Sequence, residues 1–376
     1  MRPRPERLER LPEQYFTRLL ARVSAAAASA GEPLVDLGRG NPDVPPPAHV
    51  IAALAEGAER DDTHGYAPFA GLSALKEAIA ARYRDVYGVV VDPEREVAVL
   101  PGSKTGLIEF AQVTTERGES ILLPDPGYPD YRSAVAMSAA HHVALPLLDD
   151  GRPDWSAAPD DAASLYLNYP SNPVAACVPE GVFAETVAWA QRTRTWVLHD
   201  FAYGDLVYDG RQPASFLATD GARDVGLELF SMSKSYGMAG WRLGFAIGNT
   251  ELVARIEDLQ NHVFAGIFMP MQHAGIAALT GPQETVGERR ALYEARRDRV
   301  LAALPGVDAR CEGTFFVWFR LPDGITCEHL LEEHRVAVAP GEGFGSRGAG
   351  WARLSLATPD DRLDLGLERL AAAFAQ

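Results

Sequence analysis

Six short apolar runs, Val97–Leu100, Ser120–Leu123, Ala163–Leu167, Thr195–His199, Leu227–Ser231 and Arg242–Ile247, alternate with helical stretches such as Gly106–Thr114 and Glu180–Arg192. Strands separated by a helix's worth of residues pair through crossovers, so the pattern predicts an α/β fold with a mostly parallel sheet covered by helices. The flanks read differently. Upstream, a helix over Glu13–Ala30 precedes a short strand at Leu34–Leu37, the turn Gly38–Asp43, and helices over Ala48–Gly57 and Leu72–Tyr87. Downstream, helical periodicity runs from Thr250 to Leu304 with breaks near Gly266–Pro270 and Gly281–Pro282. Strands at Thr314–Phe319, Val336–Val338 and Ala352–Leu356 then alternate with helices at Cys327–His334 and Asp360–Phe374, a smaller α+β unit on which the N-terminal helix can pack. This predicts a large domain over 44–272, and a small one built from 1–43 and 273–376.

At 376 residues the chain buries a core without staples, and its three cysteines, Cys177, Cys311 and Cys327, lie too far apart for a zinc ribbon or a disulfide framework. A reducing cytoplasm is the expected compartment. The N-terminal ten residues lack a signal peptide's apolar core, and no stretch is long and apolar enough to span a membrane. The net charge of −16, spread along the chain, argues against nucleic acid as a partner. Of 35 basic residues only Lys76, Lys104 and Lys234 are lysines, so each lysine invites a chemical reason.

Two motifs fail on context. Gly343-Phe-Gly-Ser-Arg-Gly348 has dinucleotide-fingerprint spacing, but a strand rather than a helix is predicted to follow it, leaving no helix N-terminus for a pyrophosphate. His329 and His334 are five apart, not the four that would put two metal ligands on one helix face, and no metal site is predicted.

Four other segments converge. Ser231-Met-Ser-Lys-Ser235 puts Lys234 just after an apolar strand among small hydroxyls, with Arg242 eight positions later. Hydroxyls and an arginine at a strand end suit a phosphate, and a desolvated lysine there can lose its proton and attack a carbonyl. Asp200 closes another strand, where a protonated pyridine nitrogen would be a suitable partner; a helix N-cap is the plainer alternative. Asn172, in Asn168-Tyr-Pro-Ser-Asn-Pro173, can reach a ring hydroxyl or simply shape a turn. Gly102-Ser-Lys-Thr-Gly106 offers amides at a helix N-terminus. All four lie at predicted C-terminal strand ends, where open α/β sheets bind ligands.

These residues resemble the class I/II pyridoxal-phosphate-dependent aminotransferases of fold type I, from Gly40-Asn-Pro-Asp43 to Trp351-Ala-Arg-Leu-Ser355. The resemblance implies pyridoxal 5'-phosphate as cofactor and Lys234 as the residue that bonds to it and moves the substrate's α-proton. It makes Asp200 the partner of the ring nitrogen, Tyr203 and Asn172 the ligands of the ring oxygen, and Tyr128 the aromatic stacked on the ring. Gly102, Ser103, Lys104, Ser231, Ser233 and Arg242 match the phosphate cup. Tyr66 is similar to a tyrosine that reaches the neighbouring subunit's phosphate, which implies a homodimer with shared sites. Arg353 matches the arginine that clamps the substrate carboxylate, helped by Asn172 and the Gly40 backbone.

Three segments, Leu11–Phe16, His199–Gly204 and Met238–Asn249, are similar to the methionine-salvage subgroup acting on 4-methylthio-2-oxobutyrate. Pro173-Val-Ala-Ala176 in place of a Pro-Thr-Gly turn, and Arg39 beside the substrate, depart from the pattern. The expected activity is ping-pong amino transfer between an L-amino acid and a 2-oxo acid, on a methionine-like or a specialised substrate. A β-lyase on the same scaffold and a non-catalytic cofactor-binding regulator are the rival readings.

Overall fold

The computed structural model describes residues 3–29 and 31–375, so Ala30, the last residue of the predicted N-terminal helix, and Met1 and Arg2 lie outside the described residues. Its centre is a seven-stranded sheet of β1 (Val97–Leu100), β2 (Ser120–Asp125), β3 (His141–Pro146), β4 (Ser164–Asn168), β5 (Trp196–Asp200), β6 (Gly226–Ser231) and β7 (Gly244–Gly248). The spatial order is β1-β7-β6-β5-β4-β2-β3. All pairings are parallel except those of β7, which runs antiparallel to both β1 and β6.

Edge strand β1 and interior strands β4 and β6 are buried at every residue, as expected where helices cover both faces. Strand β3 escaped the sequence reading because it is an edge strand whose His141, His142 and Ala144 face solvent, leaving no apolar run. The strand predicted from Arg242 begins at Gly244, because Arg242 adopts a left-handed turn conformation (φ 58°) that closes the loop before β7.

Apolar side chains pack on the two faces of the sheet in separate clusters, one centred on Leu75, Phe183, Phe230 and Phe245, the other on Phe110, Tyr131 and Tyr166. The helix Ser73–Tyr87 supplies the first face and stops at Gly88, whose φ of 70° lets its amide reach back to Tyr83 and Arg84 carbonyls. The predicted helical region from Thr250 is three helices, Thr250–Val263, Met269–Thr280 and Glu284–Ala303, broken where glycine and proline fall.

A third cluster joins the helix Asp360–Phe374 to a small antiparallel sheet of β8 (Ala309–Arg310), β9 (Phe316–Arg320), β10 (Ala339–Pro340) and β11 (Trp351–Ser355). Val35–Asp36 pairs in parallel with Val336–Ala337, tying the N-terminal segment to this unit. The helix Tyr15–Ala28 packs there through Val23 against Leu331 and Ala337, and lies across the mouth of the cleft described next.

Candidate active site

A cleft with about 270 Å³ of free volume opens where β4, β5 and β6 end, between the large sheet and the small one. Asp200 is the last residue of β5, beside Asn168 at the end of β4. Its carboxylate accepts from the Tyr131 hydroxyl (2.8 Å) and from the amide of Ala202 (3.3 Å), and no cation pairs with it among the described residues. Burial raises its pKa, opposed by those two hydrogen bonds. A buried carboxylate with donors on one side only has room for a further proton donor.

Lys234 follows β6 in the single turn Met232–Ser235, which Ser231 caps by accepting from the Ser233 amide (3.2 Å). Its ammonium lies over Phe315 (5.0 Å) and Tyr203 (5.7 Å). Desolvation, reinforced by the positive charges of Arg353 and Arg242, lowers its pKa to about 8. The amine is thus substantially neutral in mildly alkaline solution, where a surface lysine is almost wholly protonated. The other two lysines are paired, Lys76 with Glu257 (2.6 Å) and Lys104 with Asp130 (2.8 Å).

Arg353, on β11, is 1% exposed yet has no carboxylate partner among the described residues. It donates to Asn172 Oδ1 (2.7 Å) and the Gly38 carbonyl (3.2 Å), stacks over Phe316 (3.8 Å), and leaves Nε without an acceptor. Burial lowers its pKa to about 10. A buried guanidinium with neutral acceptors and a free edge suits a carboxylate from outside the chain. Asn172 is held by its own amide, which donates to Asn168 Oδ1 (2.7 Å), while Asn168 donates to the Asp200 carbonyl (2.8 Å).

At the other end, Gly102 (φ 87°) precedes the helix Ser103–Thr114, and a side-chain carbon at Gly102 would collide with the Arg242 guanidinium. The N-terminus of this helix and the Arg242 guanidinium thus lie side by side, the donor set of a phosphate site.

The cleft brings together Lys234, Asp200, Tyr203, Asn172, Tyr128, Ser103, Lys104, Arg353, Gly40 and Arg39. Gly102, Ser231, Ser233 and Arg242 border it through the helix cradle and the lysine turn. Tyr66 is 87% exposed and does not line the cleft of its own chain. Gly343–Gly348 forms two short turns leading into β11, so no helix opens behind it. No metal-holding cluster of His, Cys, Asp or Glu occurs among the described residues.

Sequence reasoning missed Tyr131, Asn168 and the wall formed by Phe16, Leu19, Leu20 and Val23. Asn168 and Tyr131 stand in or beside motifs already singled out; the wall leaves only the amphipathic spacing of an Ala-rich helix.

The sequence model described as aminotransferase class I and II matches residues 32–370. The L-glutamine–4-(methylsulfanyl)-2-oxobutanoate aminotransferase of Bacillus subtilis (strain 168) is 42% identical over 369 residues, spanning 95% of this chain and 92% of that protein. The LL-diaminopimelate aminotransferase of Moorella thermoacetica is 37% identical, over 97% of this chain and 96% of that protein. Among solved structures, substrate-bound BacF from Bacillus subtilis superposes with a TM-score of 0.93 at 36% identity, over 100% of this chain and 98% of that one.

Proposed function

The chain belongs to the class I and II aminotransferases and is a pyridoxal-phosphate-dependent transaminase of fold type I, and from that premise we propose that its substrates are α-amino acids and 2-oxo acids with an uncharged, mainly apolar side chain of the methionine type. The observation that carries this is the wall of Phe16, Leu19, Leu20 and Val23 facing Arg353 across the cleft. The relative named for glutamine and 4-(methylsulfanyl)-2-oxobutanoate supports it. A polar-tailed substrate is the second reading, favoured by Arg39 and Asp36 on the same rim.

The residues present fit the cofactor. Gly102, Ser103, Ser231, Ser233 and Arg242 would hold its phosphate, Asp200 its ring nitrogen, Asn172 and Tyr203 its ring oxygen, and Tyr128 its face. When bound, pyridoxal phosphate draws electron density from the substrate's α-carbon. The protein does the rest. Arg353 and Asn172 orient the substrate carboxylate, with Phe316 fixing the plane of the guanidinium. Lys234, its amine tuned by burial, takes the α-proton and returns it to the cofactor side. Asp200, held by Tyr131 and Ala202, keeps the ring-nitrogen proton in place.

The division into a large domain over 44–272 and a small one from 1–43 and 273–376 is part of the proposal, supported by the separate apolar clusters, with the boundary moved past the helix Met269–Thr280, whose Ala274, Ala278 and Leu279 pack in the large-domain cluster. So is a homodimer. Tyr66 (87%), Val263 (63%), Phe268 (49%) and Phe69 (46%) are exposed. They form one apolar face, since Gly266 abuts Ala67 and Pro68 and Phe268 lies 6.1 Å from His64. A cytoplasmic location is proposed on the strength of three free cysteines.

Adding methionine, glutamine, glutamate and aspartate singly to the holoenzyme, with absorbance recorded, tests the reading. A cofactor spectrum that converts without ammonia release, fastest for the neutral donors, is expected. Release of pyruvate and ammonia from a β-substituted amino acid faster than amino transfer would favour the lyase, and no spectral change with any donor would favour a regulator. Lys234→Ala should retain cofactor yet lose multiple turnover, and turnover within tenfold of the parent would overturn its role.

A further inference from the structure

Asp130 lies outside every role assigned above, yet it is where three parts of the cleft meet. Its carboxylate is almost wholly buried, 5% exposed. On one oxygen it accepts from the side-chain amide of Gln14, 116 residues away in sequence. On the other it accepts from the Tyr128 hydroxyl (2.7 Å) and from the Lys104 ammonium (2.8 Å). Gln14 is also the N-cap of the helix Tyr15–Ala28, its side-chain oxygen accepting from the amides of Phe16 (2.9 Å) and Thr17. The helix that carries the apolar wall is therefore pinned at its first turn to the loop bearing Tyr128 and to the lysine of the phosphate cradle. Phe16, two residues past the pin, lies 5.3 Å over the Arg353 guanidinium and 6.1 Å from Tyr128.

The charge balance follows from the same contacts. Lys104 lines the cleft and would leave a positive charge on its wall, but the buried Asp130 carboxylate cancels it. The Lys104 side chain is 49% exposed, so water partly screens the pair, while the Asp130 end, 5% exposed, holds the ammonium in place. A substrate with an anionic tail finds Lys104 already occupied.

We propose that Asp130 is a positioning residue for substrate selection: it holds the N-terminal helix over the cleft through Gln14 and neutralises Lys104, so that the closed cleft accepts uncharged side chains and discriminates against acidic ones. The inference rests on the amino-transfer reading above. It assigns Asp130 no contact with the substrate; its effect passes through Gln14 and Lys104.

Two variants separate the arms. Gln14→Ser keeps a good helix N-cap but is too short to reach Asp130. In the holoenzyme it should speed hydrogen exchange of the amides of 15–28 by ~10-fold, the loss of about one hydrogen bond to a charged group. Its KM for methionine should rise by a similar factor while kcat changes less than ~3-fold, because wall and carboxylate clamp bind without touching the reacting bonds. Asp130→Asn keeps one acceptor oxygen for Gln14 and should loosen the helix less, but should raise the glutamate-to-methionine ratio of kcat/KM by ~10-fold, about one charged interaction's worth. Adding Lys104→Met to Asp130→Asn should return that ratio to the parent value.

Unchanged exchange in Gln14→Ser, or an unchanged donor ratio in Asp130→Asn, would overturn the proposal. A ratio that stays raised when Lys104 is removed would overturn the charge arm. Should the parent convert with no amino donor, the amino-transfer reading fails by itself, and the exchange measurement still decides whether Asp130 pins the helix.

Discussion

His199 and Asp200 are neighbours on β5 and face opposite sides of the sheet, and their surroundings could hardly differ more. His199 is wholly buried: Nδ1 meets Glu228 Oε1 at 2.7 Å and Nε2 meets the Tyr169 carbonyl at 3.0 Å. Glu228 in turn accepts from the Ser215 hydroxyl (2.7 Å) and the Phe216 amide (2.6 Å). Every polar atom of that pair has a partner within the chain. Asp200, one residue on, is as deep but holds only two donors and no counter-charge, and Arg353 and Lys234 across the cleft are likewise incompletely partnered. Spare valences alone do not mark a site, since the Tyr83 hydroxyl and Trp189 Nε1 are also buried without a partner among the described residues; what sets Asp200, Lys234 and Arg353 apart is that theirs converge on one cleft.

Breaking the unsaturated side should cost activity, not stability. Asp200→Ala is expected to slow α-proton removal by ~10²–10³-fold, the scale for losing one preorganised electrostatic group, and to weaken cofactor retention. Its melting temperature without cofactor should match or exceed the parent's, since a carboxylate whose charge burial disfavours is gone. Parent-like half-reaction rates would reduce Asp200 to a structural cap.

The saturated side should behave in the opposite way. His199→Phe strands the Glu228 carboxylate, and breaking a buried pair from one side costs ~3–5 kcal/mol, read as a fall in the urea midpoint. His199→Gln, which can still donate to one acceptor, should lose less. In the folded fraction, kcat/KM should stay within a few-fold of the parent. A His199→Phe enzyme as slow as Asp200→Ala at unchanged stability would erase the distinction.

How much of this was legible beforehand follows from the same contrast. Lys234 and Asp200 stood out because each sits at the end of an apolar strand, and a chemical group in such a place is visible in a short window; Arg353, in the middle of β11, was visible only through the family resemblance. Their supports were not. Tyr131 reaches Asp200 across 69 positions, Gln14 reaches Asp130 across 116, and no local pattern records a hydrogen bond that exists only after the sheet has formed. The motif that matches Lys104 to the phosphate cup concerns its backbone amide and leaves its side chain open; that side chain turns to Asp130. The central sheet was readable for the reason edge strand β3 was not: only strands covered on both faces write a continuous apolar run.

Arg353 sharpens the comparison, because it combines full burial with an open edge. Arg353→Lys keeps the charge and loses the planar pair of donors, so kcat/KM for α-amino acids should fall ~10–150-fold, the worth of one charged hydrogen bond. Cofactor affinity should change little, as Arg353 touches Asn172 and Gly38 rather than the phosphate cradle. An unchanged kcat/KM would remove Arg353 from the substrate site.

Tyr66 carries the smallest expected effect and the widest consequence. It is 87% exposed on the face proposed for the homodimer, where a second subunit can reach it. If its partner is the phosphate of a neighbouring subunit, Tyr66→Phe should raise the cofactor dissociation constant ~3–30-fold, at or below the lower end for a hydrogen bond to a charged group because the phosphate keeps its other donors. The melting temperature of the cofactor-free protein should stay put. Mixing a Tyr66 variant with a Lys234 variant then distinguishes a shared site from a private one. With shared sites, each hybrid dimer holds one doubly defective site and one intact site, and the intact site gives parent-like cofactor affinity and turnover. With private sites, every site in the hybrid carries one lesion, and the half bearing Lys234 retains the weakened affinity of the Tyr66 variant. Hybrid dimers, separated by differential tags and titrated with cofactor, should show the intact class; its absence would place Tyr66 in the site of its own subunit.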